Sequence, residues 1–262
     1  MRSGERSLHN EDKIKKEWNC AAESWVDFVR TGKDYCRDGL NNPATFKLIG
    51  DVKGLVVLDL ACGEGYNTRI LARKGVKVTG VDFSEKLIRF AKQEEDKDKL
   101  GICYKVMDAA EFVEFPNNHF DLVTCFMSLQ DIRDFKKAIS EVARVLKEGG
   151  RFIFSIPHPC FEKIRLDKHD RKISATERYF GAMEYTVDWD MERLTKHFRT
   201  TSFHRTLTDY FDALYKSKLL VKRFAEPRSK QAELKRYPGL QDVQARPQSV
   251  IIESVKYTYN IL

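Results

Sequence analysis

The sequence predicts a doubly wound α/β domain on a mainly parallel sheet, and three observations carry that expectation. From Leu55 to Ile156, short apolar runs alternate with segments of helical composition. Each run is mostly continuous in apolar residues, as strands covered on both faces are. The first, Val56-Val57-Leu58-Asp59-Leu60, empties into Ala61-Cys62-Gly63-Glu64-Gly65 and then into helix-compatible Tyr66 to Lys74. A glycine turn between strand and helix lets backbone amides approach a ligand closely. The next run, Val76 to Val81, ends in Asp82-Phe83-Ser84. An acid at the tip of the neighbouring strand is where doubly wound folds hold the ribose of an adenosine-bearing cofactor.

The elements follow in order. Trp18, Trp25, Phe28 and Val29 are spaced for a short amphipathic helix. Asn42-Pro43 reads as an N-cap with proline at the first helical position, opening a helix through Ile49. After strand 55–60, a helix from Asn67 to Arg73 ends near Gly75. After strand 76–81, Ser84 caps a helix that carries Leu87, Ile88 and Ala91. Strand 102–107 reaches Asp108-Ala109, and strand 120–126 follows the turn-forming Pro116-Asn117-Asn118. Ile139, Val142, Ala143 and Leu146 fall at helical spacing, and Gly149-Gly150 is expected to stop that helix ahead of strand 151–156. Residues 157–205 are rich in aromatic and charged side chains and show no clear helical period. Leu207, Tyr210, Phe211 and Leu214 restore a helix, followed by strand 219–225 and a short apolar run at 250–252.

At 262 residues the chain is long enough for one α/β domain with additions and a substantial core. Residues 1–20 are polar and charged, and no apolar run approaches the length of a membrane span, so the expected compartment is the cytoplasm, with no membrane partner. Six scattered cysteines form no C-x-x-C pair, which argues against a metal site; Cys103 and Cys125 fall in expected strands and read as buried free thiols. A net charge of +7 permits contact with nucleic acid, but the basic residues are spread along the chain and read as a solvated surface.

Asp59-Leu60-Ala61-Cys62-Gly63-Glu64-Gly65, with Gly80-Val81-Asp82-Phe83-Ser84, resembles motif I and the following acidic strand end of the class I S-adenosylmethionine-dependent methyltransferases. A nicotinamide-binding unit would want G-x-G-x-x-G, but Thr68 stands where its third glycine belongs. The resemblance implies a seven-stranded, Rossmann-like sheet closed by an antiparallel strand. It covers residues 55–156 strongly and 206–256 moderately. The implied division is an N-terminal helical cap (1–54), a cofactor-binding core (55–156), a substrate-lid insertion (157–205) and the C-terminal part of the core (206–262). Where the family's last helix usually ends in Ala-Gly-Phe, this chain has Ser217-Lys218-Leu219 and no glycine to define the end.

The same resemblance implies S-adenosylmethionine as cofactor and S-adenosylhomocysteine as product. Asp59 would orient the turn, while Ala61, Cys62, Gly63 and Gly65 pass the methionine moiety. Asp82 would take the ribose hydroxyls, with Phe83 against the adenine and Ser84 completing the motif. Asp108 and Ala109 would meet the adenine edge, and Phe126 would lie beside the sulfonium. The segment Cys125 to Asp131 lacks the Asn/Asp/Ser-Pro-Pro-aromatic motif of amino-methylating nucleic-acid enzymes and the paired glutamates of protein-arginine enzymes. Pro159-Cys160 follows strand five rather than strand four, so Cys160 does not match the nucleophile of cytosine-C5 enzymes. What remains is similar to the enzymes of small metabolites, which methylate an O, N or C atom by direct in-line displacement. His158, Trp189 and His204 are candidate substrate-pocket residues, and the two histidines, suited to titrate near neutrality, are candidate bases. Hydrogen bonding across the base of the lid and aromatic packing are the competing roles for these three. Two other functions fit the same motifs: an RNA or protein methyltransferase using the basic surface, and a non-catalytic cofactor-binding interaction protein.

Overall fold

The computed structural model describes residues 3–111, 114–165, 172–174, 178–189 and 194–257. Helix α1 (Ser3–Arg30) leads through a wide helical turn at Arg37–Asn41 into α2 (Asn42–Ile49). There follow β1 (Val56–Leu60), α3 (Tyr66–Arg73), β2 (Lys77–Asp82), α4 (Glu85–Lys97), β3 (Cys103–Val106), β4 (Phe120–Phe126), α5 (Phe135–Val145) and β5 (Leu146–Pro157). The insertion carries β6 (Lys163–Arg165), β7 (Lys172–Ser174), β8 (Met183–Trp189) and β9 (Phe198–His204); α6 (Leu207–Lys216), β10 (Leu219–Ala225), α7 (Gln231–Arg236) and β11 (Ser249–Lys256) complete the fold.

The main sheet has seven strands in the order β10-β11-β5-β4-β1-β2-β3, with β11 antiparallel to both its neighbours and the other pairings parallel. Successive strand residues face opposite sides, and both sides are buried. Leu58, Leu60 and Val123 pack on α5 and α6, whereas Val57, Leu122 and Ile153 pack with α2, α3 and α4 on the other face. That double burial is why β1 and β4 read as unbroken apolar runs. Strand β1 sits between β2 and β4, so the winding reverses there, and the crevice at the carboxyl ends of β1 and β4 is the topological switch point.

Several expectations need correction. The N-terminal helix is 28 residues long, not short. Helix α2 starts at Asn42, whose side chain donates to Asn67 Oδ1 rather than capping. Helix α5 ends at Val145, and Leu146 already belongs to β5, opposite Phe120. Leu146 is buried in the same cluster as Ile139 and Val142, so apolar spacing alone could not separate helix from strand. Gly149, at φ +73°, and Gly150, whose Cβ would lie 2.7 Å from Lys147 O, instead serve a bulge between Phe120 and Leu122 in the β4–β5 register. Cys125 is buried, but Cys103 is exposed on the edge strand. Helix α6 does end sharply: Lys218 takes the left-handed position at φ +58°, and its N–H donates to Tyr215 O.

The insertion is built of antiparallel ribbons, β6–β7 and β8–β9. The second is fastened to α1. Thr201 N–H donates to Glu17 Oε2 at 2.8 Å, and Ser24 Oγ donates to Lys196 O at 2.6 Å. Trp18, Trp25, Trp189 and Phe198 interlock there, with Trp189 stacked on Phe198 at 5.5 Å and edge-on to Trp25 at 5.3 Å.

Candidate functional site

A cavity of about 870 Å³ occupies the crevice at the switch point. Its floor comes from the strand ends of the core, and its walls come from α1 and the insertion. The first strand end turns sharply: Ala61, Gly63 and Gly65 all have positive φ (52°, 58° and 82°). The two glycines differ in purpose. A Cβ on Gly63 would meet nothing closer than Trp25 Nε1 at 3.9 Å, so this glycine borders open cavity. A Cβ on Gly65 would lie 2.2 Å from the Tyr104 hydroxyl, and Gly65 does not line the cavity. Its missing side chain makes room for β3.

Asp59 is buried beneath the turn and accepts from Thr68 Oγ1 (2.6 Å) and Thr124 Oγ1 (2.8 Å), tying α3 and β4 to β1. Thr68, at the place of the dinucleotide motif's third glycine, thus has its own partner. Burial pushes the Asp59 carboxyl up to about 6 against the pull of those two hydroxyls. Glu64 is buried between Arg69 of α3 and Arg30 of α1, so the N-terminal helix is held directly to this turn.

Asp82 lies in the same wall. Its Oδ2 accepts from Gly63 N–H and its Oδ1 from Ser84 N–H, both at 2.9 Å. A carboxylate oxygen has more than one acceptor site, so both remain able to take a ligand hydroxyl. Burial pushes Asp82 up to about 6, with the two amide bonds pulling down. Phe83, Asp108, Ala109 and Phe126 line the cavity with Ala61 and Cys62, and Asp108 Oδ1 accepts from Ala110 N–H. Ser84 does not line it; fully buried, its hydroxyl accepts from Leu87 N–H as the cap of α4 and donates to Asn19. Trp189 lines the cavity as part of the aromatic cluster.

The two histidines lie outside the cavity lining. His158 Nδ1 accepts from Cys160 N–H, which leaves Nε2 to donate to Glu226 at 2.9 Å. His204 Nε2 donates to Tyr179 O at 2.9 Å, and Nδ1 lies 3.7 Å from Glu162 Oε2. Burial works against a charged His204, but Glu162 and the Tyr179 carbonyl outweigh it and raise the ring above its ordinary range. His158 ties the base of the insertion to Glu226 beyond β10, whereas His204 binds within the insertion itself, and neither ring lines the cavity.

Sequence reasoning missed the far end of the cavity, where Gln130, Asp131, Glu162, Tyr185 and Ser202 converge. Burial pushes Asp131 up to about 7, with the Ser202 hydroxyl pulling down and the Glu162 charge pushing further up. Tyr185 donates to Glu162 through a short bond. Asp131 stands in the Cys125–Asp131 segment that the sequence reading consulted only for missing motifs. Glu162 comes from a stretch with no pattern to place it, whereas Tyr185 belongs to the alternating run Met183 to Trp189, a strand signal that a search for helical period passes over.

The residues present fit an adenosyl sulfonium ligand: Gly63 leaves open space where any side chain would intrude, Asp82 borders the same wall, and apolar Met107 and Ala109 flank Asp108. Sheet order, glycine turn and acidic strand end together define a class I S-adenosylmethionine-dependent methyltransferase fold. Comparison agrees: residues 58–154 match the family described as a methyltransferase domain, and the core of this chain is a class I S-adenosylmethionine-dependent methyltransferase domain. An S-adenosylmethionine-dependent methyltransferase from Mesorhizobium loti superposes with TM-score 0.68 at 25% identity, over 82% of this chain and 96% of its own. A putative one from Listeria monocytogenes gives 0.68 at 28% identity, over 83% and 97%. The ubiquinone biosynthesis O-methyltransferase of Coxiella burnetii is 38% identical over 119 residues, 44% of this chain and 50% of that protein. This chain therefore spans about half the length of the first curated relatives it matches. No helix among the described residues is long and apolar enough to cross a membrane.

Proposed function

We propose that this chain transfers a methyl group from S-adenosylmethionine to an O, N or C atom of a small metabolite, by direct in-line displacement, in the cytoplasm. The observation that carries this reading is the shape of the cavity. At about 870 Å³ it is near the upper end of the ~300–1,000 Å³ typical of small-molecule sites. It has room for a donor at the Asp82 and Asp108 end and an acceptor at the Asp131 and Glu162 end, and it is walled by α1 and β8–β9. The similarity of the core to a named O-methyltransferase of ubiquinone biosynthesis supports a small acceptor.

The donor, when bound, brings a methyl group already activated by its sulfonium. The chain's own task is then chiefly to hold and orient. Gly63 leaves the backbone bare for the amino-acid moiety, Asp82 holds the ribose, and Asp108 with Ala109 meets the adenine edge. Phe126 and Met127 leave β4 beside the reacting centre. Met127 is held at φ +49°, a left-handed conformation that a non-glycine residue keeps only where its surroundings enforce it. Fixing two reactants in line supplies much of the acceleration such transfers need, and the Trp18–Trp25–Trp189 wall keeps water from the acceptor end.

Titration calorimetry with S-adenosylmethionine tests the cofactor: saturable heat is expected, reduced at least tenfold in affinity by Asp82→Ala. Incubation with radiolabelled donor and fractionated cell extract tests the acceptor. Label is expected among small molecules. Label in RNA, together with a salt-sensitive affinity for RNA, or label in protein would overturn the small-metabolite reading, and binding without transfer would favour a non-catalytic role.

A further inference from the structure

The acceptor end of the cavity has a chemistry of its own. Asp131 sits at the end of the turn Leu129–Asp131 that follows β4, and Glu162 follows β5. Both carboxylates line the cavity, with Ser202 hydrogen-bonded to Asp131 and Tyr185 donating to Glu162. Among the described residues, no Lys or Arg nitrogen lies within ion-pairing distance of Asp131. The nearby Arg205 guanidinium is occupied elsewhere: it donates to the carbonyls of Leu129, Ile132 and Arg133 and lies over the Phe135 ring at 4.1 Å. It grips the backbone that carries Asp131, and from beyond ion-pairing distance its charge still favours the Asp131 carboxylate, less strongly than burial opposes it.

A second observation points to a ligand. Gln130 is 8% exposed and lines the cavity, its amide donates to Met127 O and to Asp131 Oδ2, and its Oε1 has no hydrogen-bond partner among the described residues. Oriented in this way, the end of the cavity offers two carboxylates and an orphaned carbonyl: acceptors, with its hydroxyl donors already engaged. Each basic residue of the lining has an acidic partner, although Arg37 Nη1 and Arg133 Nε have no hydrogen-bond partner among the described residues. Lys15 pairs with Glu85, Arg37 with Asp38, and Arg133 with Glu184. A chain of net charge +7 has thus assembled an acidic chamber. Such a chamber repels carboxylate and phosphate groups and favours a cationic ligand whose several N–H bonds can satisfy its acceptors.

We propose that the acceptor substrate is a small amine on an apolar or aromatic body, its nitrogen held by Asp131 and Glu162, with Asp131 taking the proton that frees the nitrogen lone pair. This assignment rests on the proposed methyl-transfer function and names its substrate class. The ammonium N–H bond breaks and its proton passes to an Asp131 oxygen. The freed lone pair forms the new N–C bond to the methyl carbon as the C–S bond breaks, leaving its electron pair on sulfur. The methylated nitrogen carries the positive charge that the sulfonium loses, and Asp131 returns its proton to water on product release. Trp18, Trp25 and Trp189, which line the same cavity, suit the body of such a molecule and its cationic head.

The groups that face Asp131 are Cys125 of β4, Glu162, Tyr185 of β8, Arg205 and Tyr210 of α6, with His204 of β9 behind Glu162. Asp131, pushed up to about 7 by burial, titrates where amine binding is measured, and His204, raised above its ordinary range behind Glu162, loses its charge in the same direction of pH. Binding should therefore strengthen as pH rises through 7.

The test uses the full chain and a matched set of probes: phenethylamine, 2-phenylethanol and phenylacetate. Calorimetry on protein saturated with S-adenosylhomocysteine should show phenethylamine binding at least tenfold tighter than the other two, and more tightly at pH 8 than at pH 6. Labelled methyl should appear on the amine. Asp131→Asn should cut transfer at least a hundredfold, the scale of a lost general base, and reduce the pH dependence of binding by at least half. Glu162→Gln should weaken amine binding at least tenfold. Both variants should bind S-adenosylmethionine within twofold of the parent, which shows that they are folded. Preference for the alcohol or the carboxylate, donor binding with no labelled amine, or an unchanged pH dependence in Asp131→Asn would each overturn the amine assignment alone. Failure of the parent chain to bind S-adenosylmethionine would instead overturn the methyl-transfer function beneath it.

Discussion

Gly63 and Gly65 stand two residues apart in one turn, and the structure separates their purposes. Gly65→Ala would place a methyl group against the Tyr104 ring at a backbone angle of +82°. Overpacking and left-handed strain together are expected to destabilise the protein by about 3 kcal/mol, read as a lower denaturation midpoint. Gly63→Ala meets no neighbour and should cost only the strain, about 1 kcal/mol, yet it should weaken S-adenosylmethionine binding because its methyl group intrudes into the cavity. If calorimetry found the two variants equally impaired in binding and equally unstable, this division would be wrong. The Asp59, Gly63 and Asp82 positions were legible from the sequence because each obeys a local pattern. Ser84 and Gly65 share the motif but not the cavity, since one caps a helix and the other accommodates a distant tyrosine; spacing along the chain carries no trace of that tyrosine.

Helix α6 ends through Lys218 in the left-handed conformation, where a side chain is disfavoured by roughly 1–2 kcal/mol. Lys218→Gly is expected to stabilise the protein by about 1 kcal/mol, visible as a thermal midpoint a few degrees higher. The missing family glycine therefore leaves strain behind rather than a blurred boundary. The β8–β9 ribbon makes a second element-scale test. Trp189→Ala opens the cluster of Trp18, Trp25 and Phe198 and should cost about 3 kcal/mol if the ribbon folds with the core. Elements of the doubly wound core were readable because its central strands, β1 and β4 among them, are buried on two faces and its helices on one. The insertion was not. Its strand β8 does alternate, Met183, Tyr185, Val187 and Trp189 against Glu184, Thr186 and Asp188, but its partner β9 is mostly polar and is covered by a helix far away in sequence, so no matched pair of alternating runs and no helical period mark the ribbon. The α5–β5 boundary failed for a related reason: Leu146 is buried either way.

Across the whole molecule, Asp59, Asp82 and Asp131 are carboxyls raised by burial to about 6, 6 and 7 from an ordinary value of 3.8. The folded chain then holds protons that the unfolded chain releases between about pH 4 and 7. Their contribution is present in full below pH 3.8 and is lost as pH rises through 6 and 7. His204, raised as well, acts in the same direction. The carboxylates that the fold holds low, such as Glu85 at about 2 and Glu253, lose their contribution only in stronger acid. The cofactor-free protein should accordingly melt a few degrees lower at pH 7.5 than at pH 5.5, and Asp131→Asn should flatten that slope; a midpoint rising over this interval would contradict the burial of these groups.

The bond between Thr201 and Glu17 spans 184 positions. Helix α1 leaves the ribosome well before the ribbon that completes its side of the chamber, which is translated after five strands of the main sheet. A nascent chain therefore cannot trap its ligand early. Donor capture should switch on abruptly once the ninth strand has emerged, and arrested chains released shortly before that point should fail to retain it.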